Sequence, residues 1–451
     1  MSAVLVNLLA FVVAISVLVA VHEFGHYIIG RWCGMKVLRY SIGFGKPLWT
    51  WIAGKDRTEY CISAIPLGGY VKFLDEREGP VEPSDQGRAF NHRPVPARIA
   101  VLLAGPMFNF LFAVFAYWVL FVSGIPTVKP AVGEVTPGSY AAAAGLEHGD
   151  RIVTVGDREA TDWETVLVVM LGELVDDGSV TLELEAEDGW KRSTVLDVGR
   201  DGSRLTEPGT LFDGLGFMPW QPPAIVGSVD EQGAAAAAGI REGDRITEIA
   251  GNPVVNFSDL QRIVAERPGE QASVRLTRNG EERLLDMQLG SRELDGELVG
   301  FMGVGIAAAA ADHYYVRKFG PIVAIGESIE RTWSTTGFTI SMLAKMVTGD
   351  VSIKNISGPI SIGQYAGDSA AAGVNAFLTF LALVSISLGV LNLLPVPILD
   401  GGQIVYQTVE LIKGSPLSDR SQLVGQQVGI LALLLLMSFA FYNDIARILH
   451  Q

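Results

Sequence analysis

Four long uncharged, mostly apolar stretches limit what this 451-residue chain can fold into. A helix that spans a bilayer needs about 20 such residues, and each stretch is long enough. A buried helix of a soluble protein can also be apolar, but four such runs in one chain favour a polytopic α-helical membrane protein with four transmembrane helices. The stretches, of which the first contains one His/Glu motif, are Val4 to about Ile29, 99–123, 369–399 and 421–443.

The first stretch is predicted to be a retained helix in contact with the lipid bilayer. No positively charged segment precedes it, and polar residues follow it where a signal peptide would have a small-residue cleavage site. Hydrophobic residues make up 49% of the chain and charged residues 18%, which suits a protein that is part membrane-embedded and part soluble. The net charge of −15 argues against a nucleic-acid partner, since such a protein carries a basic face.

The first stretch ends in the motif His22-Glu23-Phe24-Gly25-His26. Residues four apart lie on one face of a helix, so both imidazoles can point at one metal ion. Glu23 stands beside them and could take a proton from a metal-bound water. HExxH on a helix is typical of zinc peptidases, and ionisable groups inside a membrane segment are usually functional. The alternative is that these polar residues only mark the interfacial end of the helix.

Basic residues indicate the orientation of the chain. Five of them flank the loop after the first span: Arg31, Lys36 and Arg39 near one membrane end, and Arg93 and Arg98 near the other. The positive-inside rule places this loop in the cytoplasm. Both termini, and the large region between the second and third spans, are then outside. That region, residues 126–375, is acidic, with 37 acidic and 20 basic residues.

A catalytic zinc site needs three protein ligands, so a third one is required. The two cysteines, Cys33 and Cys61, are too few for a Cys-based zinc site or a disulfide framework. The third span offers Asp400. This span must run in the same direction as the first, which brings its far end to the depth of the HExxH motif. Pro395 and Pro397 predict a break in the helix just before it, although an ordinary helix-ending Asp at an interface is the alternative.

Histidines elsewhere in the chain are weaker candidates for the third ligand. Two of them are expected beyond the membrane and one at the extreme C-terminus, whereas the fourth lies in the cytoplasmic loop and is not excluded by its side of the membrane. They are His148 and His313, His450, and His92.

The cytoplasmic loop predicts a β-hairpin. Two β-prone runs, Thr58–Ile65 and Tyr70–Leu74, surround the turn signal Pro66-Leu67-Gly68-Gly69. Its apolar content and its place beside the HExxH helix favour an element that dips into the membrane, although a plain surface hairpin has the same pattern. An unpaired strand edge there could hydrogen-bond an extended peptide.

An internal repeat dominates the exterior region. Residues 141–152 (AAAAGLEHGDRI) recur as residues 235–246 (AAAAGIREGDRI). The spacing predicts two small α/β domains of about 90 residues, and the pattern resembles the PDZ domains of bacterial proteases. In that family a loop accepts a peptide carboxylate through backbone N–H groups, and Gly214-Leu215-Gly216-Phe217, just ahead of the second copy, resembles such a loop. The alternative is that both domains are steric or structural and bind no peptide.

Residues from about 314 to 349 predict one or two amphipathic helices, with Trp333, Phe338, Met342 and Met346 on one side. Such a segment could lie at the outer membrane surface, and packing against the neighbouring PDZ domain is the alternative. The predicted segments are transmembrane helix 1 with HExxH (1–30), a cytoplasmic loop with a membrane-dipping β-hairpin (31–96), transmembrane helix 2 (97–125), PDZ domain 1 (127–221), PDZ domain 2 (222–310), the amphipathic segment (311–372), transmembrane helix 3 with Leu-Asp-Gly (373–402), a cytoplasmic loop (403–420) and transmembrane helix 4 (421–444).

Four motifs together resemble the site-2 family of intramembrane zinc proteases. They are HEFGH in the first span, AGPxxN in the second, the tandem PDZ insertion, and NxxPxPxLDGG in the third span. The resemblance covers essentially the whole chain. It implies one zinc ion per chain, with His22, His26 and Asp400 as ligands and Glu23 as the catalytic base.

The same resemblance implies hydrolysis of a peptide bond inside the bacterial inner membrane. The substrate would be a single-pass membrane protein, an anti-sigma factor of the envelope stress response. The periplasmic PDZ pair would filter substrates by size, and the active site would lie near the cytoplasmic face. A non-enzymatic PDZ membrane scaffold that binds protein tails and, less favoured, a metal transporter are the competing hypotheses. The residues implied to contact substrate are Asn392, Gly43, Gly45, Gly68 and Gly69.

Overall fold

The computed structural model describes residues 3–449 except 187, 208–209, 231–232, 295–296 and 308–312. The chain forms two compact units, each assembled from separate stretches of sequence. His450, one of the histidines considered above, lies outside the described residues. The units are the membrane unit, with Ala3–Ile125, Lys318–Thr348 and the chain from Ile356 onward, and the PDZ unit, with Pro126–Arg317 and Gly349–Asn355.

The elements are numbered along the chain. The helices are α1 (Ala3–Trp32), α2 (Val95–Ser123), α3 (Tyr140–Ala143), α4 (Trp163–Asp176), α5 (Leu211–Leu215), α6 (Ala234–Ala237), α7 (Phe257–Ala265), α8 (Pro321–Thr348), α9 (Pro359–Ala371), α10 (Val374–Leu393), α11 (Asp400–Lys413) and α12 (Asp419–Leu449). The strands are β1 (Val37–Ala53), β2 (Thr58–Phe73), β3 (Ile125–Val128), β4 (Val132–Val135), β5 (Arg151–Val155), β6 (Arg158–Glu159), β7 (Ser179–Glu185), β8 (Lys191–Asp197), β9 (Phe217–Pro219), β10 (Val226–Val229), β11 (Arg245–Ile249), β12 (Asn252–Pro253), β13 (Gln271–Arg278), β14 (Glu281–Gln288), β15 (Gly290–Leu294), β16 (Glu297–Phe301), β17 (Val304–Ile306) and β18 (Tyr314–Arg317).

Four helices of the membrane unit, α1, α2, α10 and α12, are long and apolar enough to cross a bilayer. Their most apolar 18-residue windows have mean hydropathies from 2.0 to 2.9, as contact with lipid requires. They coincide with the four apolar stretches of the sequence, and the chain is a polytopic membrane protein. α2 is the central helix of the unit, since it packs against α1, α8, α10 and α11.

The loop after α1 forms a pair of long antiparallel strands, β1 and β2, but the turn between them is not at the predicted position. The chain turns through residues 54–57, where Gly54 and Arg57 have φ angles of 79° and 50°. β2 continues through Pro66–Gly69 with shifts of register, and residues 39–42 of β1 pair with both of its halves, residues 59–62 and residues 69–72. Gly68, with φ of 134°, allows the strand to bend there. The chain therefore does reverse at the predicted position, but β1 lies between the two runs, which do not form a hairpin with each other.

The segment predicted to be amphipathic forms β18, α8 and α9. α8 packs against α2 through a face of small and hydroxyl-bearing residues, and it leaves Trp333 of the predicted apolar side 77% exposed. The hydroxyls bond to carbonyl oxygens four residues earlier, which satisfies them within the helix and lets the two helices approach closely. The buried residues of this face are Ala324, Ser328, Thr332 and Thr336.

The N-terminus of α9 is capped by a side chain from α12. Asp444, which is 1% exposed, accepts hydrogen bonds from the backbone N–H groups of Gly358, Ile360 and Ser361 at 2.9–3.1 Å and from the Ser361 hydroxyl at 2.6 Å. The first N–H groups of a helix lack acceptors of their own, and a buried carboxylate needs donors. One contact therefore satisfies both groups and joins α12 to α9.

The PDZ unit contains two similar α/β arrangements, each with its own apolar core. In the first, a four-stranded sheet of order β6-β5-β7-β8 accompanies the pair β4-β9 and the helices α3 and α4. In the second, the sheet β12-β11-β13-β14 accompanies β10-β17, α6 and α7. The chain ahead of the last strand differs between them. The first has a 3₁₀ helix (Gly199–Thr206) and α5, and the second has the hairpin β15–β16.

The Gly-Asp pair of the repeat forms a buried ionic turn in both domains. Asp150 and Asp244 are 2% and 0% exposed, and each accepts the backbone N–H of the residue three positions earlier, at 2.7 and 2.8 Å. Arg192 donates to Asp150, and Arg278 donates to both oxygens of Asp244. These arginines lie on non-equivalent strands, β8 and β13, so the partner of the aspartate is not part of the sequence repeat.

Candidate metal centre

α1 carries His22 and His26 one turn apart, on the side that faces α2. Helical spacing puts both rings on one face, with ring centroids 4.8 Å apart and Nε2 atoms 3.2 Å apart. Gly25 between them allows close packing, because a Cβ at this position would overlap the Ala104 carbonyl oxygen on α2. An apolar helix thus presents two imidazoles at short range to its neighbour.

Asp400 reaches the same place from the third apolar span. α10 ends at Leu393, and residues 394–399 separate it from α11, whose first residue is Asp400. Pro395 and Pro397 lie in this break, as expected of residues that cannot continue a helix. The helix expected over 373–402 is therefore interrupted, and the loop expected over 403–420 is mostly α11. The carboxylate Oδ2 of Asp400 lies 3.1 Å from the Nε2 of His22 and 3.5 Å from that of His26.

These three side chains fit a zinc ion. Their donor atoms lie 3.1–3.5 Å apart, and ligand atoms about 2.0–2.1 Å from a tetrahedral zinc ion are separated by about 3.3 Å. The Nδ1 of His26 is 2.8 Å from the Val101 carbonyl oxygen, so Nδ1 carries the proton and Nε2 keeps its lone pair for a metal. In the described part of the chain, this is the one group of three or more His, Cys, Asp or Glu residues that could hold a metal ion.

Asn109 of α2 lies against the other histidine. It is fully buried, its amide nitrogen is 3.2 Å from the Nδ1 of His22, and its Oδ1 has no hydrogen-bond partner among the described residues. Turning the amide by 180° places Oδ1 against the Nδ1–H of His22. This satisfies the orphaned oxygen and leaves the Nε2 of His22 free to bind a metal.

Gly105 of α2 forms the floor beneath the two rings. A Cβ at this position would overlap the Nε2 of His26 and the Nε2 and Cε1 of His22, so only glycine fits. Gly105 and Asn109 belong to the AGPxxN motif, to which the residue pattern alone assigned no role at the site. This motif is the sequence signal that could have drawn attention to them.

Glu23 follows His22 on α1 and is 9% exposed. Its carboxylate accepts a hydrogen bond from the backbone N–H of Val71 in β2. Gly69 lies close by, since a Cβ there would be 3.1 Å from the Cγ of Glu23. The carboxylate is thus held between the two histidines of α1 and the edge of β2.

A cavity of about 1020 Å³ surrounds the donor atoms. Its walls come from α1, α2, β2, the end of α10, the segment before α11, and Leu433 of α12. Lys72 and Asp75 also line it. Burial raises the pKa of Asp75, but hydrogen bonds from the side chain and backbone of Arg77 outweigh this and hold its pKa below the usual range. Asp75 is therefore ionised at neutral pH and paired with the Arg77 guanidinium.

The residues predicted to contact substrate divide into two groups. Gly68, Gly69 and Asn392 line the cavity. Gly43 and Gly45 are not among its described lining residues, and they flank Phe44, which is. Both have positive φ angles, 90° and 84°, a conformation that glycine adopts without strain. They let β1 bend so that Phe44 reaches the cavity.

Two other sequence-based candidates lie elsewhere. The Nε2 of His92 is 2.6 Å from a carboxylate oxygen of Glu76, so His92 is not a ligand of this site. Gly214-Leu215-Gly216-Phe217 belongs to the first PDZ domain, not the second, because Phe217 begins β9 and pairs with Val135 of β4. The strand that follows this loop closes the first domain, which is why the loop stands just ahead of the second copy in sequence.

Comparisons with known proteins agree along the whole chain. Residues 10–436 match the sequence profile of peptidase family M50. Proteins named regulator of sigma-E protease RseP are 39% identical to this chain in Salmonella typhimurium (454 residues, 99% of this chain and 100% of the relative) and in Escherichia coli (446 residues, 98% and 99%). A putative zinc metalloprotease of Vibrio cholerae is 40% identical over 454 residues, with 99% and 100% coverage. A PDZ domain of an SdrC-like protein from Listeria monocytogenes covers 20% of this chain and 94% of its own, at 19% identity and a TM-score of 0.18.

Proposed function

The chain belongs to peptidase family M50 and is a zinc-dependent protease, and from this premise we propose that it hydrolyses a peptide bond within the transmembrane segment of a single-pass membrane protein. The observation that carries the proposal is the location of the donor atoms. His22 and His26 lie on a helix of mean hydropathy 2.9, and Asp400 follows a second apolar span at the same cavity. A peptidase family favours this activity over a non-enzymatic scaffold or a metal transporter.

The proposed chemistry assigns a role to each residue of the centre. His22, His26 and Asp400 would hold one zinc ion per chain. When bound, zinc supplies the Lewis acidity that activates water and polarises a peptide carbonyl. Glu23 accepts the proton of the attacking water and passes it to the leaving amine. The N–H of Val71 keeps the Glu23 carboxylate oriented during both transfers.

The substrate is proposed to enter the cavity as an extended chain beside β2. A transmembrane helix hides its carbonyl groups in its own hydrogen bonds, so it must unwind before water can attack. Unwound backbone in a membrane needs new partners, and an open strand edge supplies them. Gly68 and Gly69 lie on this edge beside Glu23, and the amide of Asn392 offers both a donor and an acceptor.

The proposed setting is the inner membrane of a bacterium, with the active site near the cytoplasmic face and the PDZ unit in the periplasm. The basic residues of the loop between α1 and α2 support this orientation. The relatives are named for regulation of sigma-E, so a membrane-bound anti-sigma factor is the proposed substrate class. The PDZ unit would exclude substrates that still carry a bulky outer domain.

Peptide tails are proposed to bind the second PDZ domain in preference to the first. The second has a cavity of about 230 Å³ between α7 and residues 299–304, lined mostly by apolar side chains. In the first, Phe212 of α5 packs between the helix and the strand: its ring lies 5.6 Å from that of Trp163 in α4 and 5.5 Å from that of Phe217 in β9. The first groove is therefore closed by its own chain.

Glu23→Gln tests the proposed activity. Glutamine keeps the size of the side chain but cannot accept the proton, so cleavage of a labelled transmembrane peptide by the purified, detergent-solubilised chain should fall about 10²- to 10⁴-fold. Zinc content should stay at the wild-type level. In the wild type, a chelator should stop cleavage and added zinc should restore it. Unchanged cleavage in the variant would overturn the assignment, and zinc flux into vesicles with the peptide left intact would favour a transporter.

A further inference from the structure

A partly buried ion pair joins α2 to α11. The guanidinium of Arg98 donates to both carboxylate oxygens of Glu410, at 2.6 and 3.1 Å, and its Nε donates to the Arg93 carbonyl oxygen at 3.1 Å. The side chains of Arg98 and Glu410 are only 9% and 18% exposed. The positive-inside rule accounts for a basic residue among lipid headgroups, but not for a guanidinium turned into the protein.

The pair sits at the far end of the helix that Asp400 begins. Asp400 and Glu410 are ten residues apart on α11, about 15 Å along a helix, and Arg98 and Gly105 are seven apart on α2, about 10 Å. One end of α11 lies at the histidines above Gly105, and the other lies at Arg98. The two helices therefore run antiparallel, with contacts at both ends of the shared length.

Near Asp400, α11 is held by the segment that precedes it, since Gly401 and Gly402 are buried against the backbone of residues 393–397 and the Gln403 side chain donates to the Pro397 carbonyl oxygen. The six residues ahead of it are not helical, and α2 is the helix against which it packs most extensively. Its other face is open, with Val405, Leu411 and Ile412 44%, 53% and 81% exposed. Since functional ligands must be held within about 0.5 Å of their working positions, a helix of this kind needs a second fixed point.

We propose that the Arg98–Glu410 pair is a positioning element that holds Asp400 in register with His22 and His26. The inference rests on the metal site proposed above. A buried ion pair adds little net stability, because desolvation offsets the attraction between the charges. A planar bidentate pair does fix distance and angle, and here it fixes the far end of α11 against α2.

The double variant Arg98→Gln/Glu410→Gln separates positioning from stability. Removing both charges leaves no unpaired buried ion, so the unfolding midpoint should stay near that of the wild type. The bidentate contact that fixes α11 is lost. Zinc affinity should therefore fall about 10- to 100-fold, as for other groups that orient metal ligands, and competition with a chelator would measure this change. The absorption spectrum of the cobalt-substituted variant should also change. Arg98→Lys, which keeps the positive charge but not the bidentate contact, should give an intermediate zinc affinity.

A matched buried pair in the PDZ unit provides the control. Asp244→Asn/Arg278→Gln removes another bidentate arginine–carboxylate pair, and it should leave zinc affinity and the cobalt spectrum unchanged. Wild-type zinc affinity and an unchanged spectrum in the Arg98/Glu410 double variant would overturn the proposal. If Asp400→Asn also kept wild-type affinity, the metal site itself would be wrong, and the two failures would be told apart.

Discussion

Two aspartates, one in each unit, have opposite surroundings: Asp244 is fully buried, and the side chain of Asp400 is 18% exposed. Asp244 in the PDZ unit receives a guanidinium and a backbone N–H, so its charge is fully matched. Asp400 in the membrane unit is joined, among the described ion pairs, only to two imidazoles. The lone pairs of these imidazoles are turned towards it, because their other nitrogens face Val101 and Asn109. A carboxylate among lone pairs has no charge partner within the protein, and a divalent cation supplies one.

Asp444 shows that the membrane itself is not the cause of this difference. It is as deeply buried as Asp244, and it receives four hydrogen bonds from the start of α9. Donors are therefore provided for a structural carboxylate in either unit. The supply of donors, more than burial, separates a carboxylate that holds the fold together from one that binds a metal.

The largest expected effect that tests this contrast comes from Asp400→Asn. The variant should lose zinc affinity by more than the about 100-fold typical of outer partners, and it should cleave no labelled transmembrane peptide. Asp244→Asn should keep the zinc content of the wild type. Metal analysis of both purified variants tests this prediction. Equal zinc loss in the two variants would contradict the distinction between a metal-binding Asp400 and a structural Asp244.

Gly105→Ala should have the next largest effect. The added methyl group overlaps both imidazoles, so zinc affinity should fall about 10- to 100-fold. Alanine is a better helix former than glycine by about 1 kcal/mol, so weaker helix formation cannot explain the loss. Gly337→Ala on α8 is the matched control, because no atom lies within 4 Å of a Cβ there. Wild-type zinc affinity in Gly105→Ala would mean that the imidazole rings of His22 and His26 do not lie against Gly105.

Asp244→Asn should act on stability alone. The neutral amide leaves Arg278 buried without its counter-charge, which costs about 3–5 kcal/mol when one partner of a buried pair is removed. Hydrogen exchange of β11 and β13 in the full chain, measured at increasing urea, should show earlier opening of the second PDZ domain. Unchanged protection would mean that the Asp244 carboxylate is not structural, and the contrast between Asp244 and Asp400 would then be wrong.

The smallest expected effect is a pH dependence of the stability of the second PDZ domain. Burial raises the pKa of Asp244, but hydrogen bonds from Arg278 and from the Arg241 backbone outweigh it and hold the pKa below its usual value. The folded state therefore favours the carboxylate. Its stabilisation is complete above the unfolded pKa of about 3.9 and is lost as pH falls through the lower folded value. The urea midpoint of the domain should fall on acidification below about pH 4, and less so in Asp244→Asn.

Much of the fold follows from the sequence because lipid and repetition leave strong patterns. Four apolar runs sufficed for the four spanning helices, and Pro395 and Pro397 sufficed for the break before α11. The predicted hairpin was wrong because β1 lies between the two runs that Pro66–Gly69 joins, so each run pairs with β1. Strand register depends on distant partners, and local composition does not record it.

The candidate metal centre could be predicted from the sequence only in part. Helical spacing and span direction pointed to the three donor residues that the structure brings together. Gly105, Asn109 and the Arg98–Glu410 pair could not be derived in the same way. Their roles depend on how α1 and α11 are set against α2, a matter of packing between residues as far as 312 positions apart.

The central position of α2 has a consequence for how this chain tolerates changes in length. Inserting one residue between Arg98 and Asn109 would rotate one part of α2 by about 100° relative to the other. Contacts with both histidines and with α11 could then no longer form together. The PDZ unit is inserted between α2 and α8, where added length changes no register within the centre. Deletions and insertions should therefore be tolerated in its loops and rejected within about three turns of a single membrane helix.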